Sequence, residues 1–486
     1  MERQIRRMGI VLAGLFAILF LQINNIQVLQ ASKLSNSTSN PRVALRLYNQ
    51  TRGAIQTSDG TVIADSVASH DRYNFLRQYP QGPLYAEITG YFSLVYGTWG
   101  VENTYNKYLI SHQNPVKNLS DLVTSNNGPD DLTLTVNSAM QQAAATALKG
   151  NVGAVVALNP KTGAILALYG NPTYDPNALA SHNVNDVLKA WKANLANPSN
   201  PMLDRAYRRS YAPGSTFKVI TSSAVYDHDP QLATKVYPQL SQLTLPNTNK
   251  TLSNFAHEVC GGTLPTLMAV SCDSGFGQIG LDLGAANLVS EAEAFGFNKT
   301  PPFDLPGAAI SSIPSAASFA QNLPGVAYSA IGQEDVQATA LGMALVTSAI
   351  ADGGTIMTPH VMSEIRDTQG NLIEAYNPHP WLTATSSATA SAVSSLMVGV
   401  VQGGTASNIA IPGITLGAKT GTAQTQVGAG SNNWLEAFGP AENPSIVVVA
   451  TVPAQSGLPI DTTGSQIAGP IVKAMLEAAI QQGLLK

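Results

Sequence analysis

The sequence predicts a mixed α/β (α+β) protein in three parts: an N-terminal membrane helix, a small mixed module and a large α/β domain. Three observations carry this. An apolar run follows three arginines at the N-terminus, and short strand-like segments around Gly-rich turns extend to about residue 125. Beyond a stretch rich in Asn, Gly, Pro and Asp, Ala-rich helical and β-rich apolar segments follow one another. The 486 residues exceed the usual single-domain size, and 44% hydrophobic against 12% charged residues allows a large apolar core. A net charge of -4, with no basic run after the N-terminus, argues against nucleic acid as a partner.

The first element is the membrane helix. Arg3, Arg6 and Arg7 precede an apolar run from Met8 to Ile23, which Ile26, Val28 and Leu29 extend toward the ~20 residues that cross a bilayer. No small-x-small cleavage site follows the run, so an uncleaved anchor over residues 8–29 is expected. The arginines place residues 1–7 in the cytoplasm and the rest of the chain outside it.

Residues 30–50, rich in Ser, Asn and Gln, read as a linker opening an N-terminal module over residues 30–130. In RGAIQTSDGTVIADS, apolar Ile55, Val62 and Ile63 flank Ser58-Asp59-Gly60, which predicts a hairpin. NNGPDD, residues 126–131, marks a boundary, and residues 131–486 form the large domain. That domain starts with LTLTVNSAMQQAAATAL, a strand running into a helix. NVGAVVALNPKTGAILALYGN follows, a hairpin turning at Pro160 to Gly163. Cys260 and Cys272 are the chain's two cysteines. In an oxidising compartment a disulfide competes with two separately placed small residues.

Lys-Thr-Gly occurs at 161–163 and again at 419–421. Pro160 and Gly163 bracket the first copy, where turn chemistry explains every residue and leaves Lys161 in solvent. The second, in GAKTGTAQT, continues to Thr425 with no turn former before Gly428, which predicts a strand carrying Lys419, Thr420 and Thr422. In YAPGSTFKVITSSAVY, Ser215 and Lys218 stand three apart at the start of a helical pattern, so the amine reaches the hydroxyl. A serine needs a base to become a nucleophile, and a desolvated lysine serves as one. This is the one Ser-x-x-Lys pair in the chain, and alone it is equally an N-cap serine with a surface lysine.

Ser271 in SCDSGFGQIG and Lys419, Thr420 and Thr422 add the remaining parts of one site in order along the chain. With these motifs the sequence resembles the penicillin-binding proteins, whose S-x-x-K, S-x-N and K-T-G elements are shared with serine β-lactamases. RGAIQTSDGTVIA, GAVVALNPKTGAILAL, NPTYDPN, AIGQEDVQATALGMALVTSAIADGG and NNWLEAFGP extend the likeness to the class B members over almost the whole chain. The resemblance implies a five-stranded antiparallel sheet with helices on both faces, and a membrane-anchored D,D-transpeptidase that cross-links peptidoglycan and binds β-lactams. The seven histidines show no metal-ligand spacing and the two cysteines lack partners for zinc, so no cofactor or metal is expected. The segment before the large domain is too short for the glycosyltransferase module of class A relatives.

The resemblance also implies roles. Ser215 attacks the D-alanyl-D-alanine carbonyl of a stem peptide, Lys218 is the base, and backbone N–H groups of Ser215 and Thr422 form the oxyanion hole. Ser271 relays a proton to the leaving D-alanine. Lys419 supplies positive charge, while Thr420 and Thr422, with Gly421 between them, hold the terminal carboxylate. A membrane glycan polymerase and division or elongation proteins are the implied partners.

Asp273 departs from the family's Asn. An ionised carboxylate only accepts hydrogen bonds, and near Lys218 it favours the charged amine unless it is protonated or turned away. Altered substrate preference or slower acylation is expected from it. Glu291 and Glu293 are expected on a helix surface rather than as a water-activating acid, and Trp434 as a packing residue at the site edge. Two rivals remain: a D,D-carboxypeptidase or β-lactamase-like hydrolase with water as acceptor, and a weakly catalytic scaffold or sensor, for which Asp273 is the main support.

Overall fold

Residues 2–29, 48–110, 112–113, 127–424 and 430–486 are described by the computed structural model. The expected linker falls outside them up to residue 47, as do Asn126 at the expected boundary and Thr425. Helix α1, Glu2–Asn24, carries the apolar run and passes into a wider turn to Leu29. The stretch Glu2–Val28 is long and apolar enough to cross a membrane.

The N-terminal module is organised around a buried carboxylate. Arg52 Nε and Arg77 Nε donate to opposite oxygens of Glu102 at 2.5 and 2.6 Å, with all three side chains closed to solvent. Burial alone would raise the Glu102 carboxyl, but the two guanidinium groups outweigh it and hold it below its usual range. Strands β1, Ile55–Gln56, and β2, Val62–Ala68, form the predicted hairpin, and β3, Phe75–Gln78, pairs with β2. Further along the chain, β4, Asp131–Leu134, lies parallel to β1.

Helix α2, Ser138–Leu148, starts at Asn137, whose side chain accepts the Met140 N–H at 3.0 Å. Strands β5, Gly153–Leu158, and β6, Ile165–Asn171, form the second predicted hairpin. Among the helices that follow are α3, Lys218–His228; α4, Leu264–Val270; α5, Asp273–Ala294; and α6, Ala340–Ala351, which is buried along its whole length. Strands β7, Met362–Arg366, and β8, Leu372–Ala375, come before helix α7, Ser387–Gly403. The chain closes with β9, Gly417–Gln424; β10, Ser431–Gly439; β11, Ile446–Val452; and helix α8, Gly464–Gln481, which opens with a Thr463–Gln466 capping box.

Two sheets dominate the described residues. The larger has the order β8-β7-β4-β1-β2-β3, so strands from both sides of the Asn-Gly-Pro-Asp stretch share one ladder, with Ile365 of β7 opposite Leu132 of β4. The other has the antiparallel order β6-β5-β11-β10-β9. Helices α2 and α8 pack together against it, and α6 packs across β5, β10 and β11. Every residue of β5, β10 and β11 is buried; the near-continuous apolar runs of β5 and β11 require this of strands covered on both faces, while β10 carries Asn432, Asn433 and Glu436 inside as well.

Candidate active site

The turn that carries Ser215 forms where the sequence leaves it little choice. Pro213 and Gly214 lead into a 3₁₀ turn, Gly214–Phe217, that passes straight into α3. Gly214 has φ +56°, and a side chain there would start 3.0 Å from the backbone of Thr422 and Ala423. Gly421 is required for the reciprocal reason: a Cβ on it would lie 2.6 Å from the Pro213 carbonyl oxygen. The turn and strand β9 thus touch backbone to backbone. Trp434, wholly buried, braces the contact by donating its indole N–H to the Ala212 carbonyl at 3.0 Å, which makes it a packing residue beneath the site.

Three segments bring the predicted groups together, but the expected Lys218–Ser215 hydrogen bond is not made: Ser215 lies in the 3₁₀ turn ahead of α3, and Lys218 Nζ turns to Ser271 and Asp273 instead. Ser215 is 9% exposed, while Lys218 and Lys419 expose nothing. Lys218 Nζ donates to the Ser271 carbonyl at 2.6 Å, to Asp273 Oδ1 at 2.7 Å and to Ser271 Oγ at 3.2 Å. Lys419 Nζ donates to the same Ser271 Oγ at 2.8 Å and to the Thr420 carbonyl at 2.9 Å. A hydroxyl that accepts from two amines keeps its own hydrogen free to donate elsewhere. Ser271 reaches this position from a left-handed backbone, φ +59°, at the end of α4. Asp273 is not turned away, since its Oδ1 also accepts from Ser215 Oγ at 3.5 Å.

Burial pulls the Lys218 amine below its usual range, and Asp273 opposes that pull. Lys419 is driven well below its usual range, first by burial and then by the neighbouring charge of Lys218, with Asp273 and Glu436 opposing. The Thr422 hydroxyl accepts the Gly464 N–H at 3.0 Å, which leaves its hydrogen for a ligand oxygen, and Thr420 Oγ1 meets Thr405 Oγ1 at 2.7 Å.

Cys260 and Cys272 are joined in a disulfide with Cα atoms 5.9 Å apart. Since Cys272 sits between Ser271 and Asp273, the bond ties that corner to the strand Cys260–Gly262. The other Lys-Thr-Gly stands apart: Lys161 is exposed in the hairpin turn and donates to Asn443. The surface expectation for Glu291 is corrected. Glu293 is exposed, but Glu291 is buried with His228 Nε2 3.1 Å away, and burial pushes its carboxyl up to about 8. The cause is the bend of α5 at Gly284, φ +75°, which breaks the helical phase that a surface assignment assumes. Glu291 lies in the last turns of α5, whereas Asp273 begins it. Thr405, Thr347, Glu436 and Gly464 were missed as neighbours of the site. Only Glu436, a lone charge in the apolar NNWLEAFGP, left a signal that could have found it.

Comparison with known proteins places the chain in a family. Residues 153–477 match the penicillin binding protein transpeptidase domain, and residues 52–129 match the penicillin binding protein A dimerisation domain. Peptidoglycan D,D-transpeptidase PbpA of Mycobacterium tuberculosis H37Rv is 33% identical, covering 99% of this chain and 99% of its own. The Mycolicibacterium smegmatis protein of that name is also 33% identical, with 99% and 100% covered. The ceftriaxone acyl-enzyme complex of penicillin-binding protein A from M. tuberculosis superposes with a TM-score of 0.83 at 32% identity, covering 90% of this chain and all of that one.

Proposed function

The chain belongs to the class B penicillin-binding protein transpeptidases, and from that membership we propose how its own residues carry the reaction. It is a peptidoglycan D,D-transpeptidase, a serine acyltransferase that β-lactams acylate. Ser215 attacks the carbonyl between the two terminal D-alanines, and its proton passes to the Lys218–Asp273 pair. The backbone N–H groups of Ser215 and Thr422 take the developing oxyanion. Ser271, receiving from both lysines, hands a hydrogen to the departing D-alanine. Lys419, with the hydroxyls of Thr420 and Thr422, holds the terminal carboxylate across Gly421. An amine of a second stem then takes the acyl group.

The observation that carries this reading is the meeting of Lys218 and Lys419 on one hydroxyl, Ser271 Oγ, beside Ser215. Residues 8–29 serve as a single-pass anchor with residues 1–7 cytoplasmic and the catalytic domain, 131–486, outside. Residues 30–130 act as a pedestal. A membrane glycan polymerase of the division or elongation machinery is the partner that the family suggests.

The test is intact-mass spectrometry of the full chain in detergent after mixing with benzylpenicillin, beside Ser215→Ala. A lasting adduct, absent from the variant, is expected. An adduct that forms and vanishes would make the protein a hydrolase. No adduct would favour the scaffold, a reading supported by the Lys218–Asp273 ion pair at 2.7 Å.

A further inference from the structure

Glu436 is a buried acid to which the chemistry above gives no task. It lies in β10 directly opposite Lys419 of β9, so both side chains leave the sheet on one face with Cβ atoms about 5 Å apart. Neither residue has any exposed surface. Glu436 is the one charged residue in a strand that is buried throughout. Thr347 of α6 donates to its Oε2 at 2.9 Å, and its Oε1 has no partner. A carboxyl in such a place costs stability that an apolar side chain would not, unless its charge is used. Two of the three hydrogens on Lys419 Nζ go to Ser271 Oγ and the Thr420 carbonyl.

We propose that Glu436 is a positioning residue for the transpeptidase reaction: when ionised, its buried carboxylate steadies the charge of Lys419 across the strand pair, and through that lysine it sets how firmly the site holds a substrate's terminal carboxylate. The proposal rests on the reading of Ser215 as nucleophile and Lys419 as the carboxylate-binding cation.

The sign of the effect follows from the charges around Lys419, which are Lys218 on α3, Asp273 on α5 and Glu436 on β10. Burial and Lys218 push the ammonium toward losing its proton, while the two carboxylates resist. Burial pushes Glu436 up to about 8, so its charge develops as pH rises through that value, where a buried lysine is also at risk of losing its proton. Removing that charge makes Lys419 release its proton at lower pH. The carboxylate grip then fails earlier on the alkaline side.

The test is the second-order rate of benzylpenicillin acylation of the full chain in detergent, followed by intact mass between about pH 6 and about pH 9.5. Glu436→Gln keeps the shape and the Thr347 bond but loses the charge. It should acylate like the native protein near pH 6 and about tenfold more slowly near pH 8.5, its alkaline limb moved down by about one pH unit. The loss should lie in the penicillin concentration for half-maximal acylation rather than in the limiting rate, and Glu436→Asp should restore the limb. If Glu436→Gln does not fold, Thr347→Val replaces it. That change removes the donor that favours the ionised carboxylate and should give a smaller shift in the same direction. Overlapping pH profiles, or an equal loss at every pH, overturn the proposal and leave the functional reading intact. Absence of a native Ser215 adduct overturns both.

Discussion

At Asp273 one atom changes the chemistry. An amide there would accept from Lys218 through oxygen and donate through nitrogen, whereas the carboxylate accepts on both sides and holds Lys218 Nζ at 2.7 Å. Because Asp273 favours the charged form of Lys218, Asp273→Asn should free the amine and speed penicillin acylation by about tenfold. Stopped-flow acylation of the two proteins measures this, and equal rates would sink the idea. The two Lys-Thr-Gly copies show what was legible at this scale. Flanking Pro160 and Gly163 foretold an exposed Lys161, and the absence of turn formers after Gly421 foretold a strand for Lys419. Thr405 could not be read in this way, because its contact with Thr420 depends on how the loop after α7 returns to β9, which no local pattern encodes.

Among the elements, the corner between α4 and α5 holds the site under constraint. A non-glycine residue at φ +59° costs about 1 kcal/mol, and here the disulfide, the Lys218 bond to the Ser271 carbonyl and the Lys419 bond to its hydroxyl hold it in place. Ser271→Gly should therefore be more stable than Ser271→Ala by about 1 kcal/mol in chemical denaturation, although both lack the hydroxyl. Equal stabilities would mean that the corner is unstrained. Closing a short loop by a disulfide contributes about 3 kcal/mol in the chain-entropy account. Reduction should accordingly lower the melting temperature and blunt acylation together, since Cys272 separates the two residues that grip Lys218. The hairpins, the Ala-rich helix and the lysine strand were legible as periodic segments. The kink at Gly284 was not, and it carried Glu291 into the interior.

For the whole molecule, three buried carboxyls, Glu87, Glu291 and Glu436, are each pushed up to about 8 by burial. A carboxyl raised in the folded state keeps a proton that the unfolded chain has already lost. Its contribution to stability is complete below the unfolded value near 4.5 and disappears as pH rises through about 8. The melting temperature should fall between about pH 5 and about pH 8, and Glu87→Gln, whose amide oxygen can still accept the Ala206 N–H, should fall less steeply. Parallel curves for the two proteins would show that Glu87 is not protonated in the fold. The ladder β8-β7-β4-β1-β2-β3 has a further consequence, which concerns the order of events during synthesis. Ribosomes deliver β1 to β4 early, but β4 gains its second neighbour only when Met362–Arg366 has emerged. Until then a nascent chain carries Asp131–Leu134 as an open edge, able to pair with the wrong strand. A chaperone that shields that edge during elongation would raise the yield of correctly assembled protein, and a premature stop before residue 362 would leave an aggregation-prone fragment rather than a free-standing pedestal.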